Sequence, residues 1–377
     1  MDVLAACSVS LATTVFGLFS LNKLAPVLGL LDHPSARKVH ARATPLTGGL
    51  AIALGSGTLL IMAPEIIPSY FWILLGALMM VIIGSIDDAN NIGVKKRLCM
   101  QAAAAAVAVA GGDLLITNLG TYPFIGAVNL SPIAATAITF FAILAGVNAF
   151  NLIDGLDGLA GSLALLPLLA LCYLSASNGH VETAVLTGAL SSCLAGFLLF
   201  NLRLPWQKQA RAFLGDAGST SLGFLISCLL IRHAQGTESL LKPMVALWLV
   251  AIPMIDTFTV IALRKLRGAP AFKASKDHLH HILVHGGLSV LQSWAVIVGS
   301  SSLFILAVLA GPSVPEWVYL VAFLNLLGLH VFLATCVMHR SDRFEPHRSL
   351  VKVRRKIERN LAGGGGAAQD VFSARES

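Results

Sequence analysis

The residues that could do chemistry in this chain fall in five short motifs built from hard-oxygen and phosphate-binding side chains. In VNAFNLIDGLDGLAGS, residues 147–162, Asn148, Asn151, Asp154 and Asp157 recur at every third position. On a helix that spacing keeps the four groups near one face, drifting slowly round it. Amide and carboxylate oxygens of this kind suit Mg2+ and not zinc. Gly155 and Gly158 loosen the turn and admit a ligand to the backbone. In RAFLGDAGSTSLGF, residues 211–224, Gly215-Asp216-Ala217-Gly218-Ser219 opens an apolar run. Its glycines expose N–H groups at a helix N-terminus, which is an anion site. Asp216 either caps that helix or reaches a phosphate through a cation. Phe213 stands just ahead, where it stacks on a base or packs.

Three further motifs add charge. In GSIDDANNIGVKKRLCMQ, residues 84–101, the adjacent Asp87 and Asp88 repel, which favours accepting or sharing a proton. Lys95 and Arg97 follow as a phosphate clamp, with Lys96 as a topology anchor. In SKDHLHHILVHGGLS, residues 275–289, a short helix capped by Ser275 or Asp277 places His278, His281 and His285 on one face, with His280 pointing elsewhere. There is no HExxH pattern and no nearby cysteine, so imidazoles for phosphate oxygens or proton transfer are expected rather than a zinc site. In DHPSARKVHARATPLTGGLAI, residues 32–52, Arg37, Lys38 and His40 precede Pro45 and Gly48-Gly49. Arg264, in the most basic internal loop, joins them as a candidate substrate-binding residue. Together the motifs read as a phosphoryl-transfer site.

The elements that must position these groups are membrane helices. The chain has 377 residues, 56% apolar and 12% charged, with a mean hydropathy of +0.79. A soluble domain carries about 25% charged residues, so a soluble globular fold is excluded, and disorder with it. What remains is an all-α polytopic membrane protein. Breakers divide the apolar runs into about eleven spans, at 3–26, 47–63, 69–86, 98–116, 131–150, 158–176, 182–200, 217–232, 241–262, 292–311 and 316–338. With that division, 23 of the 26 Lys and Arg fall in the odd-numbered linkers and the C-terminal tail. Such asymmetry places them in the cytoplasm. Asp87, Asp88, Asp154, Asp157, Asp216 and Asp256 all fall on the same side, which predicts a cytoplasmic-face active site. The net charge of +7 is therefore a topology signal, and no nucleic-acid partner is expected. The six cysteines form no CxxC and read as small buried apolar side chains. Residues 1–338 form the membrane domain. Residues 339–377 form a basic cytoplasmic tail, disordered from about 363, whose earlier part suits anionic lipid headgroups or solvent.

The five motifs, in this order over residues 32–290, resemble the polyprenyl-phosphate N-acetylhexosamine-1-phosphate transferase family. The resemblance implies transfer of a sugar 1-phosphate from a UDP-N-acetylhexosamine to a polyprenyl phosphate, with release of UMP. The chain is most similar to the branch that passes GlcNAc 1-phosphate to undecaprenyl phosphate at the start of O-antigen and common-antigen synthesis. The lipid I branch typically carries three consecutive histidines followed by Phe-Glu, where this chain has His278-Leu279-His280-His281. By resemblance Asp216 is the principal ligand of Mg2+, or of Mn2+ in its place, and Asn151 the next. Asp87 and Asp88 match the pair near the lipid phosphate, Asp87 being the expected proton acceptor. Asp154 and Asp157 match residues that position the nucleotide sugar. Lys95, Arg97 and the histidine motif match phosphate-binding positions, and Phe213 matches a uracil-stacking aromatic. The implied partners are the UDP-sugar, undecaprenyl phosphate, membrane lipids and a second copy in a homodimer. The implied location is the bacterial inner membrane, multi-pass, with site and C-terminus cytoplasmic. Two alternatives are the same reaction with another UDP-N-acetyl sugar and, from another class, a lipid-phosphate transporter or flippase. Transport predicts polar residues at mid-span and on both sides, whereas here they gather at one end.

Overall fold

A computed structural model describes residues 3–34, 43–236, 239–268, 277–311 and 313–337. Thirteen helices make up about three quarters of them: α1 Val3–Leu28, α2 Gly48–Met62, α3 Ile66–Asn90, α4 Val94–Gly112, α5 Pro132–Ile153, α6 Leu159–Ser177, α7 Val181–Asn201, α8 Gly215–Ala234, α9 Pro243–Leu249, α10 Ala251–Leu266, α11 Leu279–His285 and α12 Val290–Ala310, then α13 Glu316–Val337. Two antiparallel ribbons complete the described fold, β1 Leu31–Asp32 with β2 Thr44–Pro45, and β3 Asn118–Tyr122 with β4 Gly126–Asn129.

Each of the eleven expected spans contains a helix or a helix pair, but the crossings are less uniform than eleven. Among the described residues, seven helices are long and apolar enough to cross a membrane: α1, α3, α5, α6, α7, α12 and α13. The run expected as one span at 241–262 breaks at Val250 into α9 and α10, bent by 82°. Pro253 lies in the first turn of α10 and lacks the N–H that would continue the helix back to Leu249. α2 is short, with 15 residues. α4 opens on Lys95, Lys96 and Arg97, and α8 opens on a Gly/Ser/Thr-rich turn with Asp216.

α7 and α8 form the buried centre, apolar almost all round as interior helices must be. α7 packs on α1, α2 and α6, and α8 packs on α2, α3 and α5. At the α2/α3/α8 crossing the backbones touch. A Cβ on Gly84 would fall 2.4 Å from the backbone of Ala217, and one on Gly49 would fall 2.2 Å from Gly218 N. Small residues permit this approach, and it occurs beside Asp216.

The chain reverses at each short connection, which gathers alternate ends. The C-terminal ends of α3, α5, α7 and α10 therefore meet the N-terminal ends of α6, α8 and α11 around two adjoining cavities. At the opposite end, Gln235 holds the β3 strand by accepting from Thr117 N and Asn118 N, both at 3.0 Å. Glu316 accepts from Thr121 N there at 2.7 Å. Arg37, Lys38 and His40, the expected cap Ser275, and the tail at 339–377 lie outside the described residues.

Candidate active site

The last turn of α3 supplies two carboxylates with different partners. Asp87 is 4% exposed, and its Oδ2 accepts from Arg97 Nη1 at 2.8 Å. The same nitrogen lies 3.6 Å from Asp216 Oδ2, so Arg97 bridges α3 and α8. Asp88 turns the other way. Its Oδ1 accepts from Asp216 N at 2.8 Å and its Oδ2 from Ala217 N at 3.1 Å. The free N–H groups of α8, expected to hold a ligand anion, are thus taken by a carboxylate 128 residues away. That is the usual reward for an anion at a helix start. Asp216 does not cap α8 with its side chain; it sits in the first helical turn and faces the cavity. Lys95 is exposed on the first turn of α4, outside both cavities.

The repeat of three does not stay on one helix. α5 ends at Ile153, so Asn148 and Asn151 are helical while Asp154 and Asp157 ride the break before α6. Gly158 at the break has φ +81° and donates to Asn201 Oδ1 at 2.6 Å. Asn151 Nδ2 donates to Asp216 Oδ1 at 2.5 Å and to Ser219 Oγ at 3.0 Å. Asn148 lies on the neighbouring cavity and donates to Leu144 O and Gln101 Oε1. Asp157 accepts from Arg203 Nε at 2.7 Å. In the sequence Arg203 reads only as an inside charge, because nothing along the chain ties it to Asp157.

These groups line a cavity of about 570 Å³ that holds Asp87, Asp88, Asn151, Asp154, Asp157, Arg203, Phe213, Asp216 and His281. Phe213 is held by its backbone, its N–H donating to Pro45 O at 2.8 Å and its C=O accepting from Gly48 N at 2.9 Å. The ring is partly exposed on the cavity wall.

The histidine motif flanks this cavity differently from its expected helical face. α11 starts at Leu279, so His278 is an extended residue ahead of it. The first N–H of α11 is met by Asp256 Oδ1, at 2.7 Å from Leu279 N, and Asp277 pairs with Arg267 instead of capping. His278 Nδ1 lies 2.8 Å from Asp256 Oδ2. The His280 ring is buried against Gly155 and stacks on His278 with centroids 5.8 Å apart. Burial, with His281 beside it, pushes its pKa down to about 3, which favours the neutral ring at neutral pH, and His280 borders the second of the two cavities. His281 borders both cavities.

The second cavity, about 850 Å³, is lined by Leu98, Ala102, Phe141, Leu144, Phe258 and Ile261 along its length. Arg97, Asn151, Arg264, His278 and His281 border it as well. An apolar trough therefore opens beside the carboxylates, with cations at the junction.

Negative charge is in surplus in the first cavity. Desolvation, then the charges of Asp216, Asp88 and Asp157, push the Asp154 carboxyl from 3.8 up to about 8. The folded state thus keeps a proton that the unfolded chain releases between about pH 4 and pH 8, and stability falls as pH rises through that window. In EDTA the apparent unfolding temperature of the wild type should fall from pH 5 to pH 8 more steeply than that of Asp154→Asn, as followed by tryptophan fluorescence. Parallel curves would refute the assignment.

The same surplus bears on Mg2+. No group of three or more His, Cys, Asp or Glu among the described residues is arranged to hold a metal by itself. Mg2+ commonly keeps its waters and binds through one or two carboxylates plus substrate phosphates. Asp216 fits that role, the Asn151 amide would join it by turning its oxygen in place of the NH2 that donates to Asp216, and the raised Asp154 reports charge that a cation would neutralise.

A model of glycosyl transferase family 4 matches residues 70–234. The undecaprenyl-phosphate alpha-N-acetylglucosaminyl 1-phosphate transferase of Escherichia coli strain K12 is 33% identical over 359 residues, which are 94% of this chain and 95% of that one. The protein of the same name from Haemophilus influenzae is 32% identical over 84% of this chain and 90% of its own length. The one from Yersinia pestis is 32% identical over 81% and 84%.

Proposed function

We propose, from the premise that this chain belongs to glycosyl transferase family 4 with the undecaprenyl-phosphate alpha-N-acetylglucosaminyl 1-phosphate transferases, that it transfers GlcNAc 1-phosphate from UDP-GlcNAc to undecaprenyl phosphate and releases UMP. The observation that carries the reading is the junction of two unlike cavities at Asn151. One is polar and rich in carboxylates; the other is an apolar trough with Arg97, Arg264 and His278 on its wall. A nucleotide diphosphate suits the first, and an isoprenoid phosphate suits the second.

In this reading the lipid phosphate lies near Arg97, Arg264 and His278, with its first isoprene units on Phe141 and Phe258. The uridine stacks on Phe213, and Asp154 and Asp157 position the sugar nucleotide, Asp157 being steered by Arg203. Asp216 and Asn151 hold Mg2+, which when bound neutralises the diphosphate. A phosphate monoester is already anionic at neutral pH, so direct attack on the β-phosphorus asks little of a base. Asp87 is available to take the remaining proton, and Arg97 keeps it oriented. Most of the rate gain then comes from alignment and charge neutralisation.

The site end also carries Lys95, Lys96, Arg97, Arg203, Lys208, Arg211, Arg264, Lys265 and Arg267. That excess supports a cytoplasmic site in a bacterial inner membrane, where the product starts O-antigen or common-antigen assembly. It fits an enzyme better than a flippase, which needs polar groups across the bilayer.

Purified protein should release UMP only with UDP-GlcNAc, undecaprenyl phosphate and Mg2+ together. Turnover without the lipid would sink the acceptor assignment, and equal turnover in EDTA would remove the metal. The trough makes a separate forecast. Ala102→Trp should raise the KM for undecaprenyl phosphate about tenfold or more, as overpacking costs about 1–3 kcal/mol, while the KM for UDP-GlcNAc stays put. An equal rise in both would place the lipid elsewhere.

A further inference from the structure

The carboxylates of the polar cavity account for the nucleotide side of the reaction, but one buried acid stands apart from them. Asp256 lies in α10, 1% exposed, and His278 is 4% exposed. We propose that Asp256 is a positioning residue: it grips His278 by Nδ1, so that every proton or hydrogen bond the ring exchanges with a phosphate passes through Nε2. The proposal rests on the transferase reading above and adds a residue to it.

The geometry uses both oxygens of the acid. Oδ2 is 2.8 Å from His278 Nδ1, and Oδ1 accepts from Leu279 N at 2.7 Å. A carboxylate only accepts, so Nδ1 must carry the hydrogen. A buried acid left without partners is strongly disfavoured by desolvation, and these two bonds are what hold it there. One bond aims the ring, and the other fixes the start of α11. The parallel stack with His280, 11° between planes, restrains the remaining rotation. His278 lines the trough close to Arg97 and Arg264, and Nε2 is the nitrogen left to face it. Metal-bound histidines are oriented through their second nitrogen in the same way; here the ring's target is a phosphate oxygen.

An Asn at 256 has one acceptor oxygen for two donors. If its oxygen stays on Leu279 N–H, its NH2 meets Nδ1 and the ring must take the opposite tautomer. The test uses full-length protein in lipid nanodiscs, as wild type, Asp256→Asn, His278→Ala and the double variant. Asp256→Asn should lower kcat about 10- to 100-fold, the range seen when a ligand-orienting partner is lost, with the KM for UDP-GlcNAc unchanged. The double variant should be no slower than His278→Ala alone. Losses that multiply in the double variant, or an unchanged kcat in Asp256→Asn, would overturn the proposal. A second readout needs neither turnover nor a stable variant. Ring 15N shifts of His278 in the wild type should show Nδ1 protonated, and a bare Nδ1 would overturn it. A wild type that released no UMP yet kept Nδ1 protonated would sink the transferase reading and leave the pairing standing.

Discussion

Asp216→Asn should reduce UMP release about 10³-fold, at the upper end of what removing one preorganised electrostatic group costs, while UDP-GlcNAc binding weakens only a few-fold. The substitution keeps the size of the side chain and removes its charge. Asp216 receives Asn151 Nδ2 and stands 3.6 Å from Arg97, so it is the acid that both cavities share through their neighbours. Its backbone N–H is already held by Asp88, and the start of α8 should stay folded in the variant. Isothermal binding of UDP-GlcNAc with Mg2+, set beside single-turnover UMP release, separates the two effects. A variant that keeps a tenth of wild-type turnover would show that Asp216 does not carry the charge of the reacting diphosphate.

The second large effect should come from a residue that touches no substrate. Gly84→Ala places a methyl group 2.4 Å from Ala217 Cα and N, and ordinary contact needs about 1 Å more. α3 and α8 are rigid and meet backbone to backbone, so the whole helix must shift. Asp87 and Asp88 then move relative to Asp216. A displacement of about 1 Å can cost about 100-fold in rate, and kcat should fall by that order. Gly57→Ala is the control, since nothing lies within 4 Å of its Cβ position. It should leave kcat unchanged and stabilise α2 slightly, because Ala is the better helix former by about 1 kcal/mol. If both variants behaved alike, the crossing would not set the geometry of the site.

Much of this architecture was legible in the residue order. Charge scarcity forced the chain into a bilayer, and the recurrence of apolar runs located every helix but α11, which the histidine motif marked, with α9 and α10 read as one span. The placement of Lys and Arg separated the two faces. The motif residues announced phosphate chemistry because hard oxygens, guanidinium and exposed amides are what phosphate and Mg2+ require. All of these signals are local: each depends on composition or on spacing within one element.

What the order of residues could not supply was partnership across elements. Asp88 looked like half of a repelling pair, yet it caps a helix that begins 127 residues later. Asp154 and Asp157 looked helical, but the helix stops at Ile153 and throws them into a break. Asp256 looked like another acid near a span end, and only the fold brings it to His278. A capping bond or an ion pair is decided by distance in space, and sequence spacing encodes that only inside a single helix. The chain by itself therefore determined the membrane-helix architecture and the phosphate-binding residue types, while the packing of α3, α5, α8 and α10 decided which charge faces the cavity, which caps a helix and which holds a neighbouring ring.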